Sequence, residues 1–299
     1  MRRLVLVLLM ALAPALAAQA AGRIDAVPRT AVISAFAPEL AELERQTRRK
    51  QTHVDGGVAF VTGTLEGKPV VLLLSGVSMV NAAMSTQLAL DRFNVRRIVF
   101  SGVGGGVDPA LHLGDVVVPA QWAEYLEMSF ARQTGDGFGR PADADPDTAS
   151  FGMMFPSPVT VQRRPGAPER RMWFPVDPAM LAIARRAAAE VELKRCEGPR
   201  CLDQAPKMVV GGNGVSGSAF VDNAAFRQYA FTAFHAQVLD METAAVAHVA
   251  YADGVPFIAF RSLSDLAGGD PGPNPFRLFV PLAADNSAAF VRRFLKSLP

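Results

Sequence analysis

Three acids, Glu39, Glu242 and Asp265, each stand where a segment that reads as a strand gives way to a loop or helix, and carboxyl groups so placed can move protons or hold hydroxyls. Two of them lie in one stretch, 238–266, VLDMETAAVAHVAYADGVPFIAFRSLSDL. It reads as strand, helix, strand. Residues 241–252 set Ala245, Val246, Val249 and Ala250 at helical spacing, and Gly254 ends the pattern. Residues 256–262, PFIAFRS, form an apolar run that suits a strand covered on both faces. The stretch is expected to be a βαβ unit, in which the loops at the carboxyl ends of the strands share a ligand crevice. Glu242 and Asp265 are then expected to face that one crevice. Each acid also has a plainer reading, Glu242 as a first-turn acid on the helix dipole and Asp265 as an N-cap.

The elements that must position these acids follow from the rest of the chain. Residues 29–36, RTAVISAF, read as the first strand, and 38–48 as a helix opened by Pro38. Glu39 falls just past that strand, where it also fits a solvated first-turn acid. Residues 57–67 and 69–75 read as a hairpin, and 80–93 as a helix with Ala83, Met84, Leu88 and Leu90 on its apolar face. Val77 and Met79 are assigned to the core. Strand 97–101, RIVFS, runs into GVGGGVDP, expected as a glycine-rich loop in which Gly104 and Gly105 let the backbone approach a ligand. It has neither the GK[ST] ending of a Walker loop nor the helix that follows a Rossmann fingerprint. Helices are expected at 177–190 and 283–298 and a strand at 207–211.

Composition narrows the class of partner. The 299 residues carry a formal charge of +2, which includes Arg2 and Arg3 of MRRLVLVLLMALAPALAAQAAG. That opening has the build of a secretory signal peptide, two cations, an apolar run and small residues, with cleavage expected between 18 and 21. The run is too short, and too broken by Pro14, for a membrane span. A near-neutral mature chain of residues 22–299 has no nucleic-acid footprint, so a small-molecule partner is expected. The chain reads as one domain with an inserted loop at about 131–174, rich in Gly, Pro, Asp and Arg, which is either a lid or disordered, its end docked through Trp173 and Phe174. An exported protein makes a disulfide between its two cysteines, Cys196 and Cys201, expected across a turn-forming spacer. Two cysteines without neighbouring histidines supply too few ligands for a metal site, and no cofactor is expected.

The acids fall inside motifs. DMETAAVAHVA followed by VPFIAFRSLSD resembles the nucleoside phosphorylase and nucleosidase superfamily, in particular the methylthioadenosine/S-adenosylhomocysteine nucleosidases. SAFAPEL is similar to the family's GAMEEEV-like loop, SGSAFV to its SGDAFI-like segment, and SGVGGGVDP with GDVVVP to its glycine loop. The resemblance implies an α/β fold, a three-layer α/β/α sandwich with a mixed, twisted central sheet. It implies Glu39 and Asp265 as catalytic, with Arg261 orienting Glu39 and the water. It also implies substrate contacts from Phe220, Val221, Met241, Glu242, Ser264, Gly104 and Gly105. Asp240 replaces the family's Glu at a position not expected to touch substrate.

The implied activity is hydrolysis of the N-glycosidic bond of a purine nucleoside such as 5′-methylthioadenosine or S-adenosylhomocysteine. The protein is expected as a homo-oligomer, a dimer, exported to the periplasm or secreted. Phosphorylases of the superfamily hold phosphate with an Arg before the glycine loop and a Ser within it. Here those positions are Phe100 and Val103, and without a cationic fork water is the expected nucleophile. GDVVVPAQWAEY and WFPVDPAM look like the superfamily's plant storage proteins. A phosphorylase and a non-catalytic binding or storage protein therefore stand as alternatives.

Overall fold

The computed structural model describes residues 22–299; the expected leader, 1–21, lies outside the described residues. The chain opens with β1 (Arg29–Ser34), whose alternation gives way to near-continuous burial because both of its neighbours run parallel to it. Pro38 sits in the first turn of α1 (Ala37–Gln46), where its missing N–H costs nothing. β2 (Arg48–Asp55), β3 (Val58–Leu65) and β4 (Lys68–Leu74) form an antiparallel meander. The hairpin was legible; β2 was not. RRKQTHVD is polar and mostly exposed, an edge strand made by pairing with β3, its charges blunting the open edge.

Next come α2 (Met79–Arg92), β5 (Val95–Gly106), β6 (Val116–Val118), β7 (Gln121–Glu124) and, after the insert, β8 (Phe174–Pro175). The remainder is α3 (Pro178–Ala188), β9 (Met208–Val210), β10 (Asn213–Ser216), α4 (Ala224–Phe234), β11 (Ala236–Asp240), α5 (Thr243–Asp253), β12 (Phe257–Asp265) and α6 (Phe276–Ser297). Twelve strands make one mixed sheet in the order β8-β7-β10-β11-β5-β1-β4-β3-β2, with β12 pairing β5 and β6, and β6 pairing β9. Helices α1, α3 and α6 pack together in one layer and α2 and α5 in another. The architecture is a three-layer α/β/α sandwich.

Four expectations need correction. The glycine run 102–106 is not a loop: β5 continues to Gly106 because β12 pairs along it from Ile98 to Gly105. The stretch 238–266 is strand, helix, strand, yet not a parallel βαβ unit. β12 runs parallel to β5, whereas β11 takes β10 as its parallel partner and meets only Gly105 and Gly106 of β5, antiparallel. On α2 the buried positions are Ala82, Ser85, Thr86 and Ala89, and Met84 is 55% exposed, because small residues let α2 lie close against the alanine-rich α5. Helix α6 begins well before 283, with Pro281 inside it.

The insert folds into short hairpins, Met128–Phe130 with Met154–Pro156, Gln133–Thr134 with Gly137–Phe138, and Val159–Val161 with Glu169–Arg171. It is fastened to α5. The Tyr251 ring lies 4.4 Å from the Arg163 guanidinium and 4.6 Å from that of Arg171, and its hydroxyl donates to Glu169 at 2.5 Å. Phe174 stacks on His248 at 4.5 Å, and Trp173 meets Phe234 edge-on at 6.3 Å. Cys196 and Cys201 form a disulfide across a hairpin.

Candidate active site

The site occupies a break in the sheet. Along β5, β1 stops opposite Phe100 and β11 joins at Gly105. In the interval the Val103 N–H donates to a side chain, Glu39 Oε1, at 2.8 Å. Glu39 Oε2 accepts from Ala35 N at 2.7 Å. Glu39 is in the first turn of α1, as its plainer reading held, but its carboxyl is turned inward and only 2% exposed. Burial raises its pKa, outweighing the Arg261 charge and the backbone N–H bonds that favour the ionised form. Gly102 is required here: a Cβ on it would lie 2.1 Å from Arg261 Nη1 and 2.5 Å from Glu39 Oε1.

Glu242 occupies the N-cap position of α5 without capping it. Its carboxylate accepts instead from Ser78 N at 2.9 Å. Ser78 has φ 83° and ψ 161°, a region otherwise left to glycine, and such strain costs about 1–3 kcal/mol and clusters at functional sites. The capping falls to Asp240 Oδ1, which accepts from the N–H groups of Glu242 and Thr243 at 3.1 Å, and to Ser216 Oγ, which accepts from Ala244 N at 2.8 Å.

Behind these acids lies Arg261, fully buried. Its guanidinium is 2.7 Å from Asp240 and 3.6 Å from both Glu39 and Glu242, and it stacks on Phe100 at 4.2 Å. One cation thus faces three carboxyl groups. Burial, reinforced by Asp240 and only partly offset by Arg261, pushes Glu242 up to about 7, so near neutrality it can donate as well as accept a hydrogen bond.

Asp265 ends β12 and no helix follows it, which corrects the N-cap reading. Oδ1 accepts from Ala267 N at 2.9 Å and Oδ2 from Ser264 Oγ at 3.0 Å. Burial raises its pKa against these two bonds. Phe220 is 56% exposed and meets Phe276 edge-on at 5.5 Å, so it is no core residue.

Glu39, Gly104, Gly105, Phe220, Val221, Met241, Glu242, Ser264 and Asp265 all line one cavity of about 330 Å³. Arg261 is behind the wall, not on it. Asp240 also reaches the wall, and every charged lining residue is an acid. Phe36, Val77, Val103 and Phe276 were missed. Apolar side chains look alike whether they fill a core or line a pocket, and Val77, assigned to the core, is 45% exposed. No residue of 131–174 lines the cavity. Among the described residues no cluster of three or more His, Cys, Asp or Glu could hold a metal ion, and no helix is long and apolar enough to cross a membrane.

Comparison with known proteins finds relatives of the same fold over nearly the whole described chain. The 5′-methylthioadenosine/S-adenosylhomocysteine nucleosidase of Marinomonas sp. (strain MWYL1) is 30% identical over 267 residues, 89% of this chain and 97% of that protein. The nucleosidase of the same description from Geobacillus thermodenitrificans (strain NG80-2) is 30% identical over 268 residues, 89% and 96% of the two chains. Among solved structures, the Neisseria meningitidis nucleosidase in complex with methylthio-immucillin-A superposes with a TM-score of 0.68 at 26% identity, covering 90% of this chain and 99% of that one. The Colwellia psychrerythraea nucleosidase in complex with adenine gives 0.69 at 25%, covering 92% and 97%. A family model described as the Phosphorylase superfamily matches residues 29–296. With its acids gathered at the break in a mixed sheet and its relatives alike over nearly their whole length, the chain belongs to the phosphorylase superfamily, among the relatives of the 5′-methylthioadenosine/S-adenosylhomocysteine nucleosidases.

Proposed function

We propose that the protein hydrolyses the N-glycosidic bond of a purine nucleoside, 5′-methylthioadenosine or S-adenosylhomocysteine, and releases adenine. The observation that carries this is the charge of the cavity, whose ionisable lining groups are all acids. Such a wall repels phosphate and suits a neutral water as nucleophile. It also surrounds the positive charge that develops on the ribose in an oxocarbenium-like transition state.

Glu39 takes a proton from the water as its oxygen bonds to the anomeric carbon. Asp265 gives a proton to the purine ring nitrogen as the carbon–nitrogen bond breaks, so the base leaves neutral. Burial keeps the Asp265 proton available and makes Glu39 the stronger base. Glu242 holds the ribose hydroxyls, Met241 packs on the sugar and Phe220 stacks on the base. Val221, Ser264, Gly104 and Gly105 complete the wall, and Arg261 steadies the acids from behind.

The test is incubation with 5′-methylthioadenosine with and without phosphate. Adenine and the free sugar are expected at the same rate in both; release only with phosphate, as the sugar 1-phosphate, would establish a phosphorylase. The storage-protein reading is disfavoured by the retention of three buried acids around one arginine.

The protein is further proposed to be an exported homodimer. Leu74, Val77, Val80 and Met84 leave an apolar strip exposed next to the cavity, a feature of interaction surfaces, and the leader-like opening and the disulfide suit an oxidising compartment. Sedimentation and the intact mass of periplasmic protein test both; a monomer at micromolar concentration, or an uncleaved N-terminus, rejects the corresponding half.

A further inference from the structure

The Thr243 side chain is completely buried, and its hydroxyl sits between Asp240 and Arg261. It accepts from Arg261 Nε at 2.9 Å and from Nη2 at 2.7 Å, and donates to Asp240 Oδ2. With both N–H groups of that edge engaged, the guanidinium cannot rotate, and the Phe100 ring fixes its plane. Its other edge donates to Val103 O at 3.2 Å. The cation is thereby held 3.6 Å from Glu39 on one side and 3.6 Å from Glu242 on the other, in hydrogen-bond contact with neither.

Asp240, 2.7 Å from Nε, anchors one edge of the cation but by itself leaves the Nη groups free to swing toward either glutamate. A buried guanidinium that faces three carboxyl groups and touches only Asp240 gains further by turning its Nη groups onto a second, since a charge-assisted bidentate pair is the strong geometry for this chemistry. If it closed on Glu39, the base would lose basicity and a lone pair. If it closed on Glu242, a sugar ligand would be occupied. The hydroxyl, which accepts from Nε and Nη2 while it donates to Asp240, ties the cation to Asp240 and so holds it back from both.

We infer that Thr243 is a positioning residue for the reaction: its hydroxyl keeps the Arg261 guanidinium midway between Glu39 and Glu242, leaving both acids free for water and sugar. The inference rests on the hydrolase reading for its effect on turnover, but the placement of the cation does not. The ionisable groups facing one another here are Glu39 from α1, Asp240 at the end of β11, Glu242 from the turn before α5, Arg261 from β12, and Tyr125, which follows β7.

The test compares Thr243→Val, which keeps the shape and removes the hydroxyl, with Thr243→Ser, which restores it. Thr243→Val is expected to lower kcat about 10- to 100-fold, the scale of one lost charge-assisted hydrogen bond, with KM changed less. The acidic limb of its pH–rate profile should move to lower pH as the cation closes on Glu39, and Thr243→Ser should return both. Carboxyl titration of the free protein labelled with [13C]glutamate supplies a readout independent of activity: the Glu39 midpoint falls in Thr243→Val. If wild type releases no adenine while that midpoint still falls, the hydrolase reading fails and the positioning role stands. If Thr243→Val lowers only the unfolding temperature, with the limb and the Glu39 midpoint unmoved, Thr243 is merely structural and the inference is overturned.

Discussion

Glu39→Gln is expected to lower turnover on 5′-methylthioadenosine by about 10²–10⁴-fold, the usual contribution of a positioned base. The amide cannot take the proton from water, and it also misfits the site. Two backbone donors, Ala35 N and Val103 N, point at the two carboxylate oxygens, and an amide offers an acceptor to only one. The other N–H then faces an NH₂ group, which costs about 1–3 kcal/mol of stability. Activity in the wild type should fall as pH drops through the raised pKa of Glu39, because the base must be ionised. That limb should vanish from the residual rate of the variant. Steady-state adenine release across pH, with thermal unfolding on the same sample, checks both parts. Near-normal turnover would remove Glu39 from the role of base.

Asp265→Asn should also lose about 10²–10⁴-fold in turnover, for the opposite reason. Asn keeps the acceptor for Ala267 N, and its amide can donate to Ser264 Oγ, so the turn survives and the proton does not. A residue that only shaped this turn would instead show near-normal turnover with a stability loss of about 1 kcal/mol or less. The wild-type rate should fall as pH rises through the raised pKa of Asp265, which supplies the basic limb. Stability follows the same sign. Asp265 is raised in the folded protein, so its contribution is full below the ordinary aspartate value and is lost as pH rises through the folded value. The Asn variant lacks that loss and should gain on wild type in unfolding temperature toward high pH. Turnover retained in Asp265→Asn would reject it as the acid.

How much of this was legible in the residues depended on what each signal encodes. DMET, RSLSD and SGSAFV gave Glu242, Asp265 and Phe220, since polar groups at strand ends and an aromatic in a short motif are visible locally. Arg261 is recognisable as near the chemistry, yet its three carboxyl partners come from α1, the end of β11 and the turn before α5, and no local pattern encodes that meeting. The glycine run at 102–106 reads by composition as a loop, whereas it is a strand in which Gly102 leaves room for Glu39 and Arg261 and Gly105 for Asp265. Val77 and Met84 look like core residues because periodicity reports a face and not what covers it. Strand β2 has no apolar signature at all and exists through its partner. The hairpins of 131–174 are too short for any period to register.

The break in the sheet along β5 also shapes how the protein breathes. In an unbroken sheet the Val103 amide would be held by a neighbouring strand and would open to solvent only when the core did. Here it is tethered to one carboxylate on the first turn of a helix. Its solvent exchange is therefore expected to follow a local swing of α1 and the charge on Glu39, at a lower free energy than global unfolding. Substrate seated against Glu39 would slow that exchange, and protonation of Glu39 would lower the protection of this amide relative to an unstructured one. The protein thus carries, in a single backbone hydrogen, a built-in gauge of whether its site is occupied and charged.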